Sequence, residues 1–186
     1  NRKAVTRIIR QFAPHLIFTH RTCDYHPDHR ATGTLVMDSA YLLGVPHWCP
    51  DTPIPSVRPA IYLMRDPFTY PRPLRPDVIV PIDNEMPRLV DAILCHASQF
   101  LEWLPFDMGI ASEVPPADDG EARRTFIVKH WMEPRKNAEA DRLRSLLIAR
   151  FGEERGRSIR SVEFFELSEY GYRPMAEEQR TLFPFL

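Results

Sequence analysis

Apolar positions recur at three- to four-residue spacing over residues 5–13, where Val5, Ile8, Ile9 and Phe12 share one helical face. Pro14 stops that helix. Leu16-Ile17-Phe18-Thr19 then forms a short continuous apolar run, the pattern of a buried parallel strand. A polar segment fills residues 20–29, and the helical period returns from about Pro27 to Leu43, with Leu35, Val36, Ala40 and Leu43 on one side. Gly44-Val45-Pro46 closes it. Residues 60–64 and 77–82 read as two further short strands. A third helix is predicted from Asp83, as N-cap, to about Leu104; Met86, Leu89, Val90, Ile93, Leu94, Ala97, Leu101 and Leu104 follow its period. Residues 105–120 read as loop, 121–150 as helix with a break near Pro134, 162–167 as strand, and 174–182 as a short helix.

Helix–strand–helix–strand–strand–helix is the order of an α/β fold. The first third of the chain matches the latter part of a parallel, Rossmann-like sheet. Ligands in such sheets bind beyond the carboxyl ends of the strands, where residues 19–29 lie.

Composition sharpens this picture in two places. The 186 residues include 19 prolines and 7 glycines, against about 9 and 13 at average usage. Eleven of the prolines fall between 46 and 87, so the excess marks an irregular excursion within an α/β scaffold. A 44% hydrophobic content, with 11 Phe, 6 Tyr and 3 Trp, excludes a disordered chain. The net charge of −1 gives no electrostatic case for nucleic acid. The basic residues Arg123, Arg124, Lys129, Arg135, Lys136, Arg142 and Arg144 alternate with acids, as on a solvated helix face. Cys23, Cys49 and Cys95 are odd in number and far apart, which fits a reduced, cytoplasmic protein better than a disulfide framework. No apolar run reaches the roughly 18 residues of a membrane span.

The chemistry concentrates in Thr19-His20-Arg21-Thr22-Cys23-Asp24-Tyr25-His26-Pro27-Asp28-His29-Arg30. Three of seven histidines fall within ten residues there. His26 and His29, three apart at a helix start, share a face and can reach one point. Imidazole is the commonest metal ligand and titrates near neutrality. A metal, an imidazolium and a helix N-terminus around one spot suit an oxyanion formed by attack on a carbonyl. An equally simple reading makes Asp24, Asp28 and Asp51 caps or loop residues and His20 a cap on the strand end. For His15, His47 and His130 a structural role is favoured; His96 reads as a buried histidine or a supporting group.

Phe18-Thr19-His20-Arg21 together with Asp24-Tyr25-His26-Pro27-Asp28-His29-Arg30-Ala31 resembles the LmbE-like (PIG-L) family of zinc-dependent de-N-acetylases. Cys95-His96-Ala97-Ser98-Gln99 is similar to the family's downstream His-x-Ser-Gln helix, and Glu169-Tyr170-Gly171 looks like the tail of bacterial members. The resemblance covers most of the chain and implies a Rossmann-like three-layer α/β/α sandwich. It implies hydrolysis of an N-acetyl group, typically from an N-acetylglucosamine conjugate. By resemblance His29 is a zinc ligand, His26 stabilises the oxyanion or acts as general acid, and Asp28 tunes His26. His96 and Gln99 are supporting residues by the same resemblance. Zinc would lower the pKa of its bound water towards 7 and polarise the amide carbonyl.

The family's upstream His-Pro-Asp-Asp motif, which supplies the other zinc ligands and the general base, has no counterpart here; the only His-Pro-Asp is 26–28. The chain therefore resembles the C-terminal two-thirds of such an enzyme, lacking the first strand. Either that part precedes Asn1, as its position inside a predicted helix suggests, or the protein is a degenerate relative. On this reading residues 1–104 are the latter part of the deacetylase domain, 105–120 a flexible loop, and 121–186 a C-terminal helical extension of the same domain. Arg21, Asp24 and Tyr25 flank the histidines and are candidate substrate contacts, or partners of one another within the loop. The alternatives are a metal hydrolase of another amide or ester, and a metal-free binding or scaffold module.

Overall fold

The computed structural model describes residues 1–133 and 138–184. The expected break at Pro134 and the basic residues Arg135 and Lys136 lie outside them. In chain order the elements are α1 (Arg2–Phe12), β1 (Leu16–Thr19), α2 (Pro27–Leu42), β2 (Ala60–Leu63), β3 (Val78–Pro81) and α3 (Met86–Leu94). Then follow α4 (Leu104–Asp107), α5 (Gly120–Ile127), α6 (Ala138–Arg142), α7 (Arg144–Phe151), α8 (Glu153–Ser158), β4 (Val162–Gly171) and α9 (Ala176–Leu182). They form two compact units, Asn1–Val80 with Glu163–Leu186, and Pro81–Val162.

The first unit is built on a mixed sheet of order β1-β2-β4-β3. β1 and β2 pair in parallel, with Leu16 opposite Ala60 and Thr19 opposite Leu63. β4 runs antiparallel to β2, with a bulge between Ala60 and Tyr62. The sheet is thus not wholly parallel. β4 enters it only after the chain has traversed the second unit, a non-local pairing that no local pattern announces. Ala60 and Tyr62 turn to one face, where they pack with Val78 and Phe183. There Gln179 of α9 donates to the Tyr62 hydroxyl at 3.0 Å. Ile61, on the opposite face, is fully buried as well. Large apolar side chains such as Ile61 and Val78 each contribute about 1.5–3 kcal/mol by leaving water.

Helices α1 and α2 pack together, and α2 meets β1. Helix α1 ends where Ala13 adopts a left-handed conformation, its N–H bonding to Ile9 O, before Pro14. A buried cation lies between these helices. Arg10 donates from Nη1 to Cys49 O and Thr52 O, and from Nη2 to Leu42 O and Val45 O. Leu42 is the last residue of α2, so the guanidinium also meets the negative end of that helix.

In the second unit the predicted apolar stripe of the third helix is buried at Val90, Ile93 and Leu101, against Phe126, Ile127, Trp131 and Met132. The helix itself is interrupted. It ends at Leu94, continues as a wide π-type turn over Ser98–Trp103 and passes into α4. Asp83 does not cap it. Its Oδ1 accepts from the N–H groups of Arg160 and Ser161, and the helix proper begins three residues later. The stretch 105–120 holds the end of α4 and a 3₁₀ turn at Ala111–Glu113, and Asp119 caps α5 by accepting from Ala122 N at 2.9 Å. Several basic residues of this unit pair with acids, among them Lys129 with Glu113 and Arg144 with Asp141. No described helix is long and apolar enough to cross a membrane.

Candidate functional site

The histidine segment leaves the carboxyl end of β1 and enters α2, all within the first unit. Local chemistry dictates the turn. Pro27 is the first residue of α2, where its missing N–H costs nothing. His26 is the N-cap, and its Nδ1 accepts from the Asp28 N–H at 3.2 Å. A ring nitrogen that accepts carries no proton, so neutral His26 holds its proton on Nε2. Asp28 reaches His26 through this backbone N–H, and its own side chain is exposed.

Asp24 organises the loop. It is 3% exposed. Its Oδ1 accepts from His26 N at 2.8 Å and pairs with His29 Nδ1 at 3.0 Å. A carboxylate only accepts, so His29 donates through Nδ1 and keeps Nε2 for another partner. Arg30 donates to the backbone carbonyls of Asp24 and Tyr25, closing the loop onto the first turn of α2.

His20, at the strand end, stacks on His29 with ring centroids 3.8 Å apart and planes 5° from parallel. Its Nδ1 lies 4.0 Å from Asp24 Oδ2. Burial first, then the neighbouring His29 ring, lowers the His20 pKa below the usual imidazole value, against the pull of Asp24 and Asp66. Ligand atoms of His20, Asp24 and His29 all lie within 4.8 Å of one another. Two imidazoles and a carboxylate are donors that suit zinc. With the ring planes nearly parallel and the centroids 3.8 Å apart, no nearby point lies in both planes, so one ring must turn before both can meet one ion. His29 already has the posture of a metal-binding histidine, with Nδ1 held by a carboxylate and Nε2 without a hydrogen-bond partner among the described residues.

The remaining candidates separate. Tyr25 is 54% exposed and stands edge-on to His29 at 5.2 Å and to His26 at 5.9 Å. Arg21 turns inward onto Asp66, Phe68 O and Arg72 O. His96 and Gln99 belong to the second unit, in the turn and the π-type stretch that follow α3, with exposed side chains. The sequence reading left His20 as a strand-end cap and Asp24 as a flanking residue. Their place beside His29 follows from the loop's return path, and only the adjacency of an acid to three histidines hinted at it.

No family model matches the chain. Among solved structures it is similar to the 4-carboxy-2-hydroxymuconate hydratase GalB from Pseudomonas putida KT2440, with 14% identity, TM-score 0.56, and 94% of this chain and 59% of that chain covered. It is also similar to the N,N'-diacetylchitobiose deacetylase from Pyrococcus horikoshii, with 23% identity, TM-score 0.50, and coverage of 95% and 55%. A conserved protein from Thermus thermophilus matches with 20% identity, TM-score 0.53, and coverage of 93% and 60%. The chain thus spans 55–60% of the length of these structures. At these identities the likeness is one of fold: a mixed, Rossmann-like α/β fold, which supports the LmbE-like resemblance at that level.

Proposed function

We propose that the protein is a metal-dependent hydrolase that removes an acetyl or similar acyl group from the amide nitrogen of an amino-sugar conjugate. The observation that carries this reading is the His29–Asp24 pair: a buried carboxylate fixes Nδ1 of a histidine at a helix start and leaves Nε2 as a ligand atom. His29 would hold the ion, with His20 and Asp24 in reach to complete or support its shell. A zinc ion held there would supply an activated water and polarise the carbonyl. Neutral His26 points an Nε2–H donor from the adjacent cap position, suited to an amide carbonyl oxygen as negative charge develops on it. The N-terminus of α2 adds its positive dipole end to the same place.

One similar solved structure is a deacetylase and another a hydratase, so the fold serves more than one water-adding reaction. Amide hydrolysis is favoured by the His26 Nε2–H donor, which suits the carbonyl oxygen of an amide.

The test is metal content and acetate release from N-acetylated amino-sugar conjugates by the protein in its full encoded length. About one zinc per chain is expected. His29→Ala should lose both metal and turnover. His26→Ala should keep the metal and lose about 10²–10³ in kcat, the cost of one oxyanion donor. A His29→Ala variant that still binds zinc and turns over would sink the assignment.

A further inference from the structure

β1 and β2 end side by side because they pair in parallel with Thr19 opposite Leu63, and Met64 N donates to Thr19 O at 2.8 Å. The segments leaving them, 20–26 and 64–77, therefore start at one place. Arg21, directly after His20, fastens the second segment to the first. It is 6% exposed. Its Nη1 donates to Asp66 Oδ2 at 3.1 Å and to Phe68 O at 2.9 Å, and Nη2 donates to Arg72 O at 2.6 Å. Asp66 is buried and accepts from Phe68 N through its other oxygen at 2.8 Å. At the far end the Arg72 guanidinium grips both carboxylate oxygens of Glu166, which also accepts from Arg75 N at 2.9 Å.

This loop, so firmly held, turns aromatic rings to solvent. Phe68 is 44% exposed and Tyr70 81%. The part of a ring left in water gains nothing for the fold. On a pre-ordered loop they form a binding surface that loses little entropy when a ligand arrives. Flat, weakly polar ring faces suit the C–H face of a sugar ring.

We propose that Phe68 and Tyr70 form a fixed aromatic wall for the sugar ring that lies beyond the acylated one, and that Arg21 is the residue that positions this wall. The inference rests on the amino-sugar hydrolase reading and names the part of the substrate that reading leaves open. Arg21 acts on the substrate through the loop it holds.

The test compares N-acetylglucosamine with N,N'-diacetylchitobiose, in the protein's full encoded length, by steady-state kinetics and by equilibrium binding. Tyr70→Ala should raise KM and the dissociation constant for the two-ring sugar about 3- to 10-fold. Its kcat, and both constants for the one-ring sugar, should stay within about 2-fold of the parent. Arg21→Lys, which keeps the charge but loses the fork, should shift the two-ring KM in the same direction. The double variant should be no worse than the more affected single one, because both changes remove one wall. If the parent protein hydrolyses both sugars and Tyr70→Ala alters neither, or alters both alike, the wall is overturned and the hydrolase reading stands. If the parent neither binds nor hydrolyses either sugar, the hydrolase reading falls and the wall with it.

Discussion

Gly33 of α2 lies against the backbone carbonyl of His20, so that a Cβ on Gly33 would stand 2.4 Å from the His20 oxygen. Neither partner is a flexible side chain. The absent Cβ lets the helix that carries His29 approach the strand end that carries His20, and so sets the spacing of the stacked rings.

Gly33→Ala should therefore separate the two histidines. A helical Gly→Ala change ordinarily adds about 1 kcal/mol of stability. Here the overpacking opposes that gain, at about 1–3 kcal/mol. The expected result is a lower Tm and weaker zinc binding together, measured by thermal unfolding and metal titration. An unchanged Tm with unchanged zinc affinity would show that the contact is not formed.

Asp24→Asn should test what holds His29. The amide oxygen can still accept from His26 N, and Arg30 is untouched because it bonds the Asp24 backbone carbonyl. What disappears is the negative charge of the carboxylate that holds His29 Nδ1. Zinc affinity should fall about 10- to 100-fold, the usual cost of losing a partner that orients a ligand. A chelator competition titration reads this directly, and unfolding in urea should show only a small change.

The fold was legible where periodicity is local. Leu16–Thr19 is a strand with the bounds its apolar run predicted, and Pro27 opens α2 as its ring demands. Long-range features were not legible. β4 lies between β2 and β3 although it begins only at Val162, long after Leu63 and Pro81 end those strands. Asp83 looked like an N-cap because an acid before an apolar period usually is one. Its carboxylate instead takes the N–H groups of Arg160 and Ser161. In the site, the proximity of His26 and His29 followed from helical spacing. The stacking of His20 on His29, and the burial of Arg21 on Asp66, follow from irregular loops that have no period.

Arg10 offers a prediction about stability alone. Its guanidinium serves four backbone carbonyls at the end of α2 and in the turns after it. Truncation leaves buried acceptors without donors. Arg10→Ala should lose about 3–5 kcal/mol, from unsatisfied carbonyls at about 1–3 kcal/mol each, partly relieved by water. Arg10→Lys should recover only a minor part, because an ammonium cannot span four acceptors arranged around a planar fork. Urea unfolding of the three proteins checks the order.

Glu166 predicts how stability responds to acid. Burial by itself would raise its carboxyl, but the Arg72 hydrogen bond, the Arg75 N–H and the charges of both arginines together bring it below the usual carboxylate value. A carboxyl that is more acidic folded than unfolded stabilises the protein wherever it is ionised in the folded state. That contribution is full above the unfolded value of about 4.3 and disappears as pH falls through the lower folded value. Glu166→Gln keeps the shape and removes the charge. Half of the Arg72 side chain is in water, which screens the pair, so the loss near neutrality should be about 1–2 kcal/mol. Parent and variant should then converge as the pH is lowered from about 5 towards about 3 in unfolding measurements, in a range set by the depressed folded value. A gap that stays constant across that range would mean that the carboxylate is not held by Arg72 in solution.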